Sequence, residues 1–225
     1  ILFRFFDGFF LYGFILAWTE KDLLHWVDPQ DRDTSARDYK WLESIWLRNQ
    51  YIAGTDRSVG KLFSLSANLP KFLEQFPDAK ILYISRDPLA VIPSGLSLVT
   101  GVLDKRFGFW ILSEEKRSHF INRLYHGLVQ LLLRFHSDWT AGNIDKSKVM
   151  IVPFDRMMSD FDTLMENILS FVDHKPSEEL INKINETAEK QRAYTSLHKY
   201  DLEKFGLSEE KIKKDCEKIY KTFLT

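Results

Sequence analysis

Residues 80–85, KILYIS, constrain the fold more than any other part of the chain: they form an almost unbroken apolar run that stops abruptly at Arg86-Asp87-Pro88. A short continuous run of this kind, bounded by turn signals, has the pattern of a strand buried on both faces of a parallel sheet. Its neighbours alternate with it. Residues 61–66, KLFSLS, read as a short strand, residues 69–76 as a helix stopped by Pro77-Asp78, and a further helix is predicted to start at Asp87. Strand, helix, strand and helix within about 40 residues indicate an α/β fold with a parallel sheet flanked by helices.

The rest of the chain extends this pattern. Residues 114–139 carry Phe120, Leu124, Leu128, Leu131 and Phe135 on one stripe of a long amphipathic helix, and residues 148–154 give a second apolar strand that ends at Pro153. Asp160 is placed to cap a helix whose core face is Phe161, Leu164, Met165, Ile168, Leu169 and Val172. Residues 28–38, DPQDRDTSARD, read as a polar connector, followed by a half-buried helix over 39–51 with Trp41, Leu42, Ile45 and Trp46 at helical spacing. The last third is helical and more polar, with Ser177 and Ser208 as N-caps, each followed by two glutamates that suit the positive end of a helix dipole. One domain over 1–225 accounts for this order: a helical region over 1–60, an α/β core over 61–173 and a helical C-terminal part over 174–225.

Charge and cysteine content narrow the function classes. With 31 Lys and Arg against 32 Asp and Glu, the chain lacks the basic excess that draws proteins to nucleic acid. Cys216 is the single cysteine, which excludes an internal disulfide and a cysteine-rich metal site, and it reads as a passenger on a helix. No carboxylate or histidine grouping has metal-ligand spacing. The aromatic-rich segment 1–18 contains an uncharged run of 11 residues, 8–18, against the roughly 20 a spanning helix needs. A buried helix is the expected use of that run, with membrane contact through 1–18 as the alternative. Two localisations fit, cytoplasmic or membrane-associated.

An arginine directly after a buried strand has a physical use. The carboxyl edge of an α/β sheet is where such folds bind ligands. Asp87 suits an N-cap and Pro88 the first helical position, so Arg86 stands at the mouth of a new helix. Free N–H groups, the dipole and a guanidinium fork together suit a phosphate. Ser94 lies about two turns further on, beside Pro93, which is expected to kink or loosen the helix and turn the hydroxyl toward the same anion. The competing use is structural: Arg86 paired with Asp87 or another carboxylate, and Ser94 incidental.

The segment FPDAKILYISRDPLAVIPSG resembles the 3′-phosphate-binding segment of sulfotransferases that use 3′-phosphoadenosine 5′-phosphosulfate (PAPS), in which a strand-end arginine and a serine eight residues later hold the nucleotide's 3′-phosphate. LSANLPKFLEQFPDAK upstream, VMIVPFDRMMSDFDTLMENILSFV downstream and HKYDLEKFGLSEEKI near the end are also similar to segments of that family, so the likeness covers about residues 61–225. The resemblance implies a P-loop-like nucleotide-binding fold and sulfuryl transfer to a small-molecule, lipid or glycan hydroxyl or amine. It also implies PAPS as cosubstrate and Arg86 and Ser94 as its 3′-phosphate ligands, with Lys199 and Tyr200 near the nucleotide.

Two departures from the family pattern stand out. The Gly/Ser/Thr-rich loop that holds the 5′-phosphosulfate in sulfotransferases, and the strand before it, have no counterpart here, so the expectation is that they lie upstream of a chain lacking them. Where many relatives carry Lys-Ser-Pro or Lys-Thr-His, this chain has Ser64, Leu65, Ser66, Ala67 and Asn68. The family's histidine base therefore has no counterpart, and the catalytic residue is unassigned among His25, His119, His126, His136, His174 and His198. Ser66 and Asn68 either contact ligand or cap the next helix. Besides an enzyme, two readings remain: a non-catalytic phosphate-binding relative that kept the Arg86 site, and a membrane-proximal interaction protein.

Overall fold

The computed structural model describes residues 8–193 and 201–224. In chain order the helices and strands are α1 (Gly8–Phe14), α2 (Leu24–Val27), α3 (Ser35–Ala53), α4 (Leu69–Gln75), β1 (Ile81–Ser85), α5 (Pro88–Phe107) and α6 (Glu114–Ala141). There follow β2 (Val149–Pro153), α7 (Phe154–Ser159), α8 (Phe161–Phe171), α9 (Glu178–Ala193), α10 (Glu209–Asp215) and α11 (Glu217–Phe223). Helices dominate, and the described strands form one two-stranded parallel sheet in register from Ile81 opposite Val149 to Ser85 opposite Pro153. Parallel strands need a long crossover, and α5 and α6 supply it.

The long helix α6 organises the packing. Phe120, Leu124 and Leu131 bury into a cluster with α1, α5 and the C-terminal helices, while Phe135 belongs to a second cluster with α3, α4 and the sheet. Tyr83 of β1 stacks on Phe135 with ring centroids 3.5 Å apart and planes 6° from parallel, which seats the sheet on α6. Each aromatic ring buried this way contributes about 1.5 to 3 kcal/mol. Inside the same helix Arg134 is buried with its charge matched: Nη1 donates to Asp28 Oδ1 at 2.9 Å and Nη2 to Oδ2 at 2.7 Å. Ser177 and Ser208 accept from the N–H groups of Leu180 and Lys211, as N-caps do.

Three expectations change. Residues 61–66 do not form a strand: a 3-10 helix spans Phe63–Ala67, turning Ser64 and Ala67 inward. A strand needs a neighbour to take its hydrogen bonds, and the described sheet offers this segment none. The strand at 81–85 is buried on one face only, because Leu82 and Ile84 are 40% and 51% exposed while Tyr83 and Ser85 face inward. Its apolar sequence shows what such a strand tolerates, not what covers it. Asp160 precedes α8 but does not cap it through its side chain, which is held instead by Arg156 Nη2 at 2.8 Å.

At the other end of the chain, Cys216 is wholly buried at the junction of α10 and α11. Burial, with Asp215 and Asp87 adding to it, pushes its thiol up to about 11. The reactive thiolate is therefore both scarce and shielded. At pH 8 the native protein is expected to resist iodoacetamide for hours, while protein in 6 M guanidinium reacts within minutes; similar rates in both, read by mass spectrometry, would show the junction opening readily.

Candidate functional site

The carboxyl end of β1 carries the first site. Asp87 caps α5, its Oδ1 accepting from the N–H of Leu89 at 2.8 Å, and Pro88 occupies the first helical position. The same Oδ1 accepts from the Tyr220 hydroxyl at 2.5 Å, so the C-terminal helix is pinned over the start of α5. Burial and the Asp87 carboxylate raise the Tyr220 phenol above its ordinary range, which keeps it a donor.

Asp87 is thus engaged elsewhere, and Arg86 is not its partner. None of the ion pairs among the described residues involves Arg86. Its guanidinium instead lies 4.0 Å from the centroid of the Phe154 ring, the first residue after β2. A guanidinium resting on a ring keeps its donor edges for another ligand. One residue earlier, the buried hydroxyl of Ser85 has no hydrogen-bond partner. An unpaired buried hydroxyl costs about 1 to 3 kcal/mol, so polar capacity is left unspent at this strand end.

Ser94 is half-buried on α5. It lies seven residues after Asp87, two helical turns, and so shares that residue's face about 10 Å along the axis. The helix runs on through Pro93 to Phe107, with the loss of one backbone donor inside it. Further along the same face Ser97 and Gly101 border a groove of about 180 Å³, closed by Trp110 and Lys204, whose ammonium sits 4.2 Å from the Trp110 ring.

A larger cavity, about 270 Å³, lies elsewhere, since none of its lining residues comes from β1 or α5. It is framed by α1, α2, the start of α3 and the 3-10 turn that ends at Ala67. Asn68, where α4 begins, lines it, and the backbone carbonyl of Asn68 accepts from the Tyr39 hydroxyl at 3.1 Å. Asp38, the one carboxylate among the lining residues, is buried and accepts from Thr34 Oγ1 at 2.6 Å and Arg37 Nε at 2.8 Å. Sequence reasoning missed Arg32, Thr34, Arg37 and Asp38 because 28–38 has the composition of a solvated connector. The signal was Asp28 itself, an acid heading a turn opposite an arginine on an apolar helix face.

The described histidines do not gather at either site. His136 accepts or donates with Thr222 Oγ1 at 3.0 Å, and burial, then Lys218, lowers its basicity. His119 contacts the Thr19 carbonyl at 3.3 Å, and His25, His126 and His174 are exposed. His198, Lys199 and Tyr200 lie outside the described residues, as do residues 1–7 of the aromatic N-terminus. Among the described residues no group of three or more His, Cys, Asp or Glu could hold a metal ion, and no helix is long and apolar enough to cross a membrane.

A family model described as the sulfotransferase family matches residues 14–178. No curated protein and no solved structure matches the chain.

Proposed function

Since the chain belongs to the sulfotransferase family, we propose that it transfers a sulfuryl group from PAPS to a hydroxyl or amine acceptor, with Arg86 and Ser94 holding the nucleotide's 3′-phosphate. The observation that carries this reading is the guanidinium of Arg86, free of any carboxylate at the carboxyl end of a parallel strand and beside the start of a long helix. The cosubstrate supplies the activated sulfuryl group. What this chain's residues do is bind and orient: Arg86 neutralises a spectator phosphate and the first turn of α5 adds N–H groups and positive potential. Sulfuryl transfer also needs a proton acceptor for the attacking group. Where many relatives carry the histidine base, this chain has the substituted stretch Ser64, Leu65, Ser66, Ala67 and Asn68, which holds no histidine to serve as one.

That substitution favours a second reading, a relative that binds the nucleotide without turning it over. Both readings require recognition of the 3′-phosphate; only the first requires transfer of radiolabelled sulfate to an acceptor. The test common to both is calorimetric titration of the chain with adenosine 3′,5′-bisphosphate and with adenosine 5′-monophosphate. The bisphosphate is expected to bind at least tenfold more tightly, the increment of one charged hydrogen bond. Ser94→Ala is expected to reduce bisphosphate affinity by about 0.5 to 1.5 kcal/mol, since a neutral hydroxyl donates a single bond. Equal affinity for the two nucleotides would remove the 3′-phosphate site from both readings.

A further inference from the structure

We infer that the 270 Å³ cavity between α1, α2 and the start of α3 binds a small acidic hydroxy compound, one ring bearing a carboxylate.

Size comes first. Cavities for drug-sized molecules begin at about 300 Å³, so this one suits a single ring with short substituents. Its walls provide the apolar body such a ring needs, with Phe9 and Leu11 from α1, Val27 from α2 and Leu65 from the 3-10 turn.

Charge decides the substituent. Two arginines and one carboxylate line the cavity. Arg37 and Asp38 are joined, with Arg37 Nη2 2.7 Å from Asp38 Oδ1. The remaining charge is Arg32. None of the ion pairs among the described residues involves it, and its guanidinium rests 4.2 Å from the centroid of the Trp26 ring. Asp33, the acid next in sequence, does not line the cavity, and its carboxylate is turned to the N–H of Ser35 at 2.9 Å. A stacked guanidinium is pre-oriented, so its fork meets a carboxylate with little further loss of freedom. Asn68 also lines the cavity, and its side chain does not cap α4, so its amide is the polar group assigned to the ligand's hydroxyl.

The test compares two phenols that differ in the carboxylate, 4-hydroxyphenylacetate and 4-methylphenol, titrated into the full chain by saturation-transfer NMR. The acid is expected to bind about tenfold more tightly or better. Arg32→Gln, a change at an exposed side chain that leaves the core intact, is expected to bring it down to the level of 4-methylphenol. Arg86→Ala is expected to leave it unchanged. Equal binding of the two phenols, or a preference that survives Arg32→Gln, would overturn the proposal. Adenosine 3′,5′-bisphosphate is titrated in parallel: if it fails to bind while the acid binds, the nucleotide reading falls and the cavity assignment is supported, and the reverse result overturns the cavity assignment alone.

Discussion

Replacing Arg86 by alanine is expected to weaken binding of adenosine 3′,5′-bisphosphate by about 1.5 to 3 kcal/mol, the range for a hydrogen bond to a charged group. The expectation follows from where the side chain is held. A guanidinium already locked to a carboxylate would have to break that pair before gripping a phosphate. Arg86 has none to break, and it already rests against the Phe154 ring, 4.0 Å from its centroid. The affinity it contributes is therefore little offset by reorganisation. Arg86→Lys keeps the charge and loses the planar fork, so its affinity should fall between wild type and alanine. Stability is expected to change by only about 1 kcal/mol, because the half-buried guanidinium of the free protein makes a single cation–π pair. Calorimetry that finds the same bisphosphate affinity in Arg86→Ala and wild type would remove this residue from the site.

What the sequence made legible here was local. An apolar run ending in Arg86-Asp87-Pro88 specifies a strand, a cap and a helix start through interactions within a few residues of one another, and all three occur where expected. The stripe on α6 was equally plain, since a period of 3.6 persisting over about four turns, from Phe120 to Phe135, marks a helix face. Segments whose state depends on distant partners were not legible. Residues 61–66 alternate well enough for a strand, yet become a 3-10 turn, because pairing is decided by whether another strand lies alongside. The larger cavity was invisible for a related reason. Its polar rim comes from a stretch so rich in Asp and Arg that solvation was the natural reading, whereas Asp28, Ser35 and Asp38 are buried and Asp28 is tied to α6 through Arg134.

That ion pair is where the largest loss of stability is expected. Asp28→Ala leaves the Arg134 guanidinium, 9% exposed, without a counter-charge inside the protein, and should cost about 3 to 5 kcal/mol of unfolding free energy. Arg134→Met is expected to cost a similar amount by stranding the carboxylate. The two losses should not add. With both partners replaced by apolar residues, as in Asp28→Leu with Arg134→Met, no uncompensated charge remains, and most of the stability should return. Urea denaturation of the two single variants and the double variant measures this directly; single losses under about 1 kcal/mol would mean the pair behaves as a surface ion pair. The pair also has a positional role. Asp28 Oδ1 accepts from the Gln30 N–H at 2.9 Å, and the Asp28 carbonyl accepts from the N–H groups of Asp31 and Arg32 at 3.1 and 2.9 Å. The turn that presents Arg32 to the cavity is therefore anchored on α6 through one carboxylate and its own backbone. In mild urea, Asp28→Ala should lose its preference for the acidic phenol before its helical signal falls, whereas the double variant, which keeps an apolar anchor, should lose both together.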